Sequence, residues 1–337
     1  MTAPPLSPTP ASEPAHTTTT GPAGAPVGAS LSVWAYVAFT GVVFGVGGLL
    51  AKGLIDDGVD AFTVTWFPFL VSGLIGMAAA LVRKQLTAAA AGPAIVLGIT
   101  ASAGPALLFN IGFEDLPAGI VTLLISLGPV FTAVVAHFVF ADERFNVVKA
   151  SGLALAIVGV GVLATGSIDG GGSPTRLAIV LIGALIAGTA AVLARRLVMQ
   201  HGAAALIGPQ MLTAGVVALA LSPVLGRELA PEGGYETWHV LAMAGFGVST
   251  YLGFRSMLIA NQVGTTGQVS VIGYCVPVFG VIGGIFVFGD DLTLSLVLGG
   301  LLILVSVWVI AVGSRPRLLP VAAPLPTAPT DQTLTPP

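Results

Sequence analysis

Thr122, Ser126, Ala133 and His137 recur along residues 117–140 at steps of four, seven and four. At 100° per residue they keep to one helical face within about 60°, and Pro129 falls on the same stripe. Hydroxyls and an imidazole gathered on one face of an otherwise apolar helix must turn away from lipid. Two uses are open to the hydroxyls: lining a cavity for a polar or amphipathic small molecule, or donating back to carbonyls of their own helix. His137 brings an imidazole that could carry a proton, or it is an ordinary histidine at a helix end, four residues from Ala141. Tyr251 and Arg255 stand one turn apart. An arginine there could grip a carboxylate or phosphate bidentately, or lay its stem along the helix and reach headgroups. Asn110 is either a cavity contact or, like Gln210 and Gln268, an amide that bonds a neighbouring helix. Trp66 is either an interface anchor or a contact to a bound molecule.

The elements that would position these residues come in two copies. Pro129-Val130-Phe131, Phe138-Val139-Phe140 and Asp142 recur 148 positions later as Pro277-Val278-Phe279, Phe286-Val287-Phe288 and Asp290, and Gly152 recurs as Gly300. The same shift puts Thr122 onto Ser270 and Ser126 onto Tyr274, so each copy offers hydroxyls before its proline. His137 maps onto Ile285 and gains no support from symmetry. A proline inside a helix removes one backbone hydrogen bond. Pro129 and Pro277 are therefore either bends that open and close a path or plain helix shaping.

The surrounding chain is membrane material. It is 55% hydrophobic and 8% charged, with 45 glycines and one cysteine, Cys275; soluble domains carry about 25% charge. A helix needs about 20 apolar residues to cross a bilayer. Windows of that kind fall at 33–51, 61–82, 94–113, 117–140, 147–166, 175–197, 207–226, 237–260, 265–288 and 295–313. The sequence thus predicts an all-α polytopic membrane protein of ten transmembrane helices in two five-helix repeats, 31–166 and 175–314. Residues 1–30 and 315–337, rich in Pro, Thr and Ala, read as disordered tails. With the N-terminus in the cytoplasm, Arg83, Lys84, Arg144, Lys149, Arg195, Arg196, Arg255, Arg315 and Arg317 gather on the cytoplasmic face, and only Lys52, Arg176 and Arg227 fall outside. Both termini are expected in the cytoplasm. Five being odd, the second copy is inverted.

Pro117-Ala118-Gly119 through Glu143, and Thr265-Thr266-Gly267 through Asp291, each run from a small-residue entry through Pro-Val-Phe to an acidic stop. This pattern, with the five-plus-five duplication, resembles the EamA-type family of the drug/metabolite transporter superfamily over 31–314. Where family members often carry an arginine early in the second span, this chain has Trp66-Phe67-Pro68. The resemblance implies a non-ATP carrier of small metabolites in the cell membrane, exporting amino-acid-like or other small polar compounds by alternating access. It implies a cavity lined by spans three, four, eight and nine, with spans five and ten set aside as packing or homodimer supports.

Other chemistries find little footing. Asp142-Glu143 and Asp290-Asp291 look like carboxylate pairs, but they lie in short links beside the bilayer. Gly159-x-Gly161-x-x-Ala164 lies inside an apolar span with no strand before it, so it is packing rather than a nucleotide site. His16, His137, His201 and His239 are too scattered to gather a metal. No cofactor is expected, and with a net charge of −3 and no basic run, no nucleic-acid partner is expected either. A membrane enzyme, a lipid-handling protein or a structural or sensory subunit remain the other readings.

Overall fold

The structure is a computed structural model and describes residues 27–139, 146–169, 173–231, 234–263, 269 and 271–313. Among them every regular element is helical. We number ten helices: α1 Val27–Asp56, α2 Ala61–Val82, α3 Ala88–Phe113, α4 Ala118–Phe138, α5 Val147–Asp169, α6 Pro174–His201, α7 Ala203–Val224, α8 Thr237–Val263, α9 Ile272–Phe288 and α10 Leu294–Gly313. Eight are long and apolar enough to cross a membrane. Of the other two, α9 is shorter, and the 27-residue α8 is made less apolar by Ser249, Thr250, Tyr251 and Arg255. The expected ten-helix membrane architecture is what the chain forms.

The helices pair in a pattern that maps onto itself when each is replaced by its counterpart in the other repeat. α1 packs on α8 and α9, and correspondingly α6 packs on α3 and α4; α2 packs on α8 as α7 does on α3. The pairs α2–α7, α4–α9 and α5–α10 map onto themselves. This is the signature of two inverted five-helix repeats. α5 and α10 pack chiefly on each other, beside the rest.

Glycine allows the closest of these approaches, since lipid supplies no hydrophobic drive and packing must hold helices together. In α2–α7, Gly73 lies against the backbone of Leu212, and in mirror fashion Gly215 lies against the backbone of Leu70. Nearer the Arg83 end, a Cβ on Gly208 would stand 2.6 Å from the Met77 nitrogen and 2.7 Å from the Gly76 carbonyl carbon. The mirror position holds Trp66 packed with Ala218, Phe62 and Leu107 instead. The α2–α7 crossing is thus tightest in the half towards Arg83.

Two spans depart from regular helix. α4 breaks into Ala118–Ile125 and Gly128–Val139, with a turn at Ser126-Leu127 just before Pro129. Pro129 has no N–H to continue the ladder, and the next helix starts with Val130 N–H donating to the Leu127 carbonyl. Its counterpart Pro277 sits inside α9, which starts after a turn at Val271 and ends in a π turn at Gly284–Phe288. α3 carries its own π turn at Gly98–Ala103, where Gly98 meets Gln210 and Thr213 of α7.

Candidate functional site

Two features stand out, one at each end of the bundle. At the end where α2 stops and α7 starts, a cavity of ≈ 130 Å³ opens between α2, α7 and α8. Its α2 wall is Gly76, Ala79, Ala80 and Arg83, followed by Gln85; α8 contributes Tyr251, Arg255, Ile259 and Gln262; α7 contributes Ala203, Ala204 and Ile207. The small residues of α2 leave the space, and the Gly76–Gly208 crossing lies beside its deep wall. Arg83 closes α2, and Lys84 follows in the left-handed region at φ 53. With Lys84 N–H bonding the Leu81 carbonyl and Gln85 N–H the Ala80 carbonyl, this is a Schellman-type stop that turns the chain sharply between Arg83 and Gln85. A second cavity of ≈ 290 Å³ adjoins it and shares Gln85, Ala203, Ala204 and Gln262, adding His201.

At the opposite end the two repeats are tied by charge. Asp60 caps α2, its Oδ1 accepting from the Phe62 N–H at 2.8 Å, while its Oδ2 accepts from Arg227 at 3.0 Å. Arg227 also donates to Glu114 at 2.9 Å and lies over the Phe62 ring. Glu114 accepts in turn from Arg176 at 2.8 Å, and Arg176 reaches Asp115 at 2.5 Å. His239, in the first turn of α8, pairs with Asp57 at 2.7 Å. In each of these pairs the carboxylate comes from the first repeat and the base from the second. Burial acts to lower the Arg227 pKa, but the hydrogen bond and charge of Glu114, then the charge of Asp60, outweigh it and raise it, so the guanidinium stays charged. Tyr235 completes the cluster by donating to Thr63 at 3.2 Å, and burial pushes its hydroxyl pKa up.

The residues singled out from sequence are distributed as follows. Tyr251 and Arg255 meet in the cavity. Thr122 is fully buried and donates to the Ala118 carbonyl at 2.8 Å, and Ser126 donates to the Leu123 carbonyl at 2.6 Å. Thr122 also packs on Gly280 of α9, where a Cβ would stand 1.9 Å from the Thr122 hydroxyl oxygen. Tyr274 is half-buried on α9 with its hydroxyl unbonded among the described residues. Ser270 lies outside the described residues, as do Gln268, Asp142 and Glu143. Asn110 donates to the Thr65 hydroxyl at 2.8 Å, tying α3 to α2, and Gln210 donates to Ser102 at 3.0 Å, tying α7 to α3. Trp66 sits among α2, α3 and α7 with its indole N–H unbonded among the described residues. His137 is half-buried near the Arg83 end with its ring against Phe138.

Arg83, Gln85 and Gln262 had no place in the sequence-based site. The Arg83-Lys84 pair registered only as an orientation signal, although its position right after a glycine- and alanine-rich helix marks a charged rim over a thin wall.

The Thr122–Gly280 contact gives a direct expectation. Gly280→Ala should destabilise the protein by about 2 kcal/mol through overpacking, and Thr122→Gly in the same chain should recover most of the loss. Thermal unfolding of the two single variants and the double variant checks this; strictly additive effects would separate the two positions.

Comparison with known proteins follows the same outline. The profile of the EamA-like transporter family matches residues 32–165 and 176–312, one match per repeat. An uncharacterized transporter of Bacillus subtilis, YdfC, is 28% identical over 138 residues, 41% of this chain and 45% of that protein. This chain therefore spans under half of that relative's length. An uncharacterized transporter of Archaeoglobus fulgidus is 22% identical over 205 residues, 60% of this chain and 71% of that protein. A solved structure, described only as a crystal structure of a protein, matches with a TM-score of 0.58 at 19% identity, covering 86% of this chain and 99% of that one; it speaks to the fold alone.

Proposed function

Because the chain belongs to the EamA-like transporter family, we propose that it is a secondary carrier that loads a small metabolite from the cytoplasm and releases it outside by alternating access. The observation that carries this reading is the opposition of the two ends. One end is closed by ion pairs that cross from repeat to repeat, and the other holds the polar cavity. In an inverted-repeat carrier, rocking one half against the other exposes a shared site to each side in turn. In this reading the cavity faces inward and the Arg227 cluster is the outer seal.

Sidedness rests on the lysine and arginine distribution. Arg83, Lys84, Arg195, Arg196 and Arg255 gather at the cavity end, which is accordingly cytoplasmic. The three exceptions are all ion-paired. Lys52 pairs with Asp56, Arg176 with Glu114 and Asp115, and Arg227 with Asp60 and Glu114. Each basic residue on the outer side is matched by a carboxylate beside it. The carrier sits in the cell membrane with both termini inside, and its energy comes from the gradient of the cargo or of a coupled ion.

Flux from reconstituted liposomes tests this. Vesicles loaded with mixed amino acids, sugars, nucleobases and small organic acids should lose one compound class selectively when they contain the protein. A dependence on an imposed proton gradient would add coupling. If folded, oriented protein releases nothing from such a pool, the carrier reading loses its support.

A further inference from the structure

Resting on that carrier reading, we infer that the cavity between α2, α7 and α8 binds a small anion, a carboxylate or phosphate group, through Arg83 and Arg255. Both arginines line it, and neither has a carboxylate within ion-pair distance among the described residues. No Asp or Glu lines this cavity or the adjoining one. The contrast with the opposite end is direct: there Arg176 and Arg227 each meet two carboxylates. Arg83 is exposed at the mouth of the cavity and Arg255 is half-buried further in, so an entering anion can reach both.

Four further groups favour the same ligand. Tyr251 is 9% exposed, lines the cavity and has no hydrogen-bond partner among the described residues, so its hydroxyl has a donor to give. Gln85 and Gln262 add amide donors at the passage shared by the two cavities. Finally, α7 begins on the cavity wall. Its cap residue Gly202 has no side chain to satisfy the first N–H groups, and no acidic residue stands in the first turn. The positive end of that helix therefore adds to the field of the two arginines. A planar carboxylate or a phosphate suits the bidentate fork of a guanidinium.

The anion could arrive as a free metabolite or as a lipid headgroup at the cytoplasmic surface, and the test separates them. The full chain in phosphatidylcholine nanodiscs is titrated calorimetrically with inorganic phosphate, with succinate and with neutral succinamide. Saturable binding of phosphate or succinate but not of succinamide is expected. Arg255→Gln and Arg83→Gln should each weaken it by about 10-fold or more, and Tyr251→Phe, which keeps the ring and its packing, several-fold. Arg196→Gln, on α6 outside the cavity, should leave it unchanged. If phosphatidylglycerol in the nanodisc competes, and its retention by the protein depends on Arg255, the bound anion is a headgroup and the site stands. Absence of saturable anion binding together with Arg255-independent lipid retention overturns the inference, as do arginine variants that bind like the parent. Flux reads the carrier separately. Release of a neutral compound by a protein that binds no anion sinks only this inference, whereas arginine-dependent binding with no flux of any compound sinks the carrier reading and leaves the site.

Discussion

Leucine in place of Gly208 should leave no monodisperse protein to purify. A Cβ at this position meets backbone atoms of Gly76 and Met77 at 2.6–2.9 Å, not the tip of a side chain that could swing away. Both helices would have to move apart along a crossing that also includes Gly73 against Leu212 and Gly215 against Leu70. Overpacking a tight interface costs about 1–3 kcal/mol even where rotamers can adjust, and here only the main chain can adjust. Because α2–α7 joins the two repeats, the damage extends to the whole bundle. Size-exclusion chromatography of the detergent extract reads the outcome. The control is Gly161→Ala, where nothing lies within 4 Å of the added carbon; it should fold as well as the parent or gain about 0.5–1 kcal/mol from helix propensity. A well-behaved Gly208→Leu protein would mean that the crossing is not as close as described.

If the Arg227 cluster is the outer seal, as proposed, Arg227→Gln should open that end. Arg227 holds Asp60 and Glu114 together, and with the charge gone those two carboxylates lose their shared partner. The side chains are 32%, 20% and 17% exposed, so water already screens part of the attraction. A loss of about 1–2 kcal/mol is reasonable for charge-assisted bonds at such positions, which shifts a closed-to-open ratio by roughly 5–30-fold. The single native cysteine makes this measurable. In a Cys275→Ser background, Thr63→Cys places a thiol beneath Tyr235, and an impermeant maleimide added from outside should label it 5–30-fold faster once Arg227 is replaced. Lys52→Gln serves as the control, because the Lys52–Asp56 pair lies within α1 and bridges nothing. Equal labelling rates with and without Arg227 would show that the cluster does not seal the path.

Much of the fold was legible because bilayer physics leaves few options. Apolar runs of fixed length must be helices, and the Pro129 and Pro277 echo counts them off in fives. Pairing was less legible. Nothing in the spacing of Gly73, Gly76, Gly208 and Gly215 says that these glycines address one another; many other glycines here meet open space, Gly161 and Gly245 among them. The partners of Arg176 and Arg227 were not legible either, because Asp60, Glu114 and Asp115 lie far from them in sequence. Arg176 and Asp115 are brought together only when α6 packs on α3 and α4. Of the site, Tyr251 and Arg255 were readable as a pair one turn apart. Arg83 joins them across a cavity whose existence depends on where α2 crosses α7. Thr122 shows why hydroxyl stripes are ambiguous from sequence: at 2.8 Å from its own helix's Ala118 carbonyl, its polarity is spent locally while its shape fits Gly280.

The interleaving of the repeats also bears on how the protein is made. α2 finds its main partner in α7, and α5 in α10. The ribosome therefore inserts the first five helices well before their neighbours exist. At about 5–20 residues per second, α2 waits on the order of ten seconds or longer for α7, with Gly73 and Gly76 facing lipid or whatever holds them meanwhile. Assembly ends only when the last helix reaches α5, so truncating the chain after residue 293 removes the piece that closes the structure.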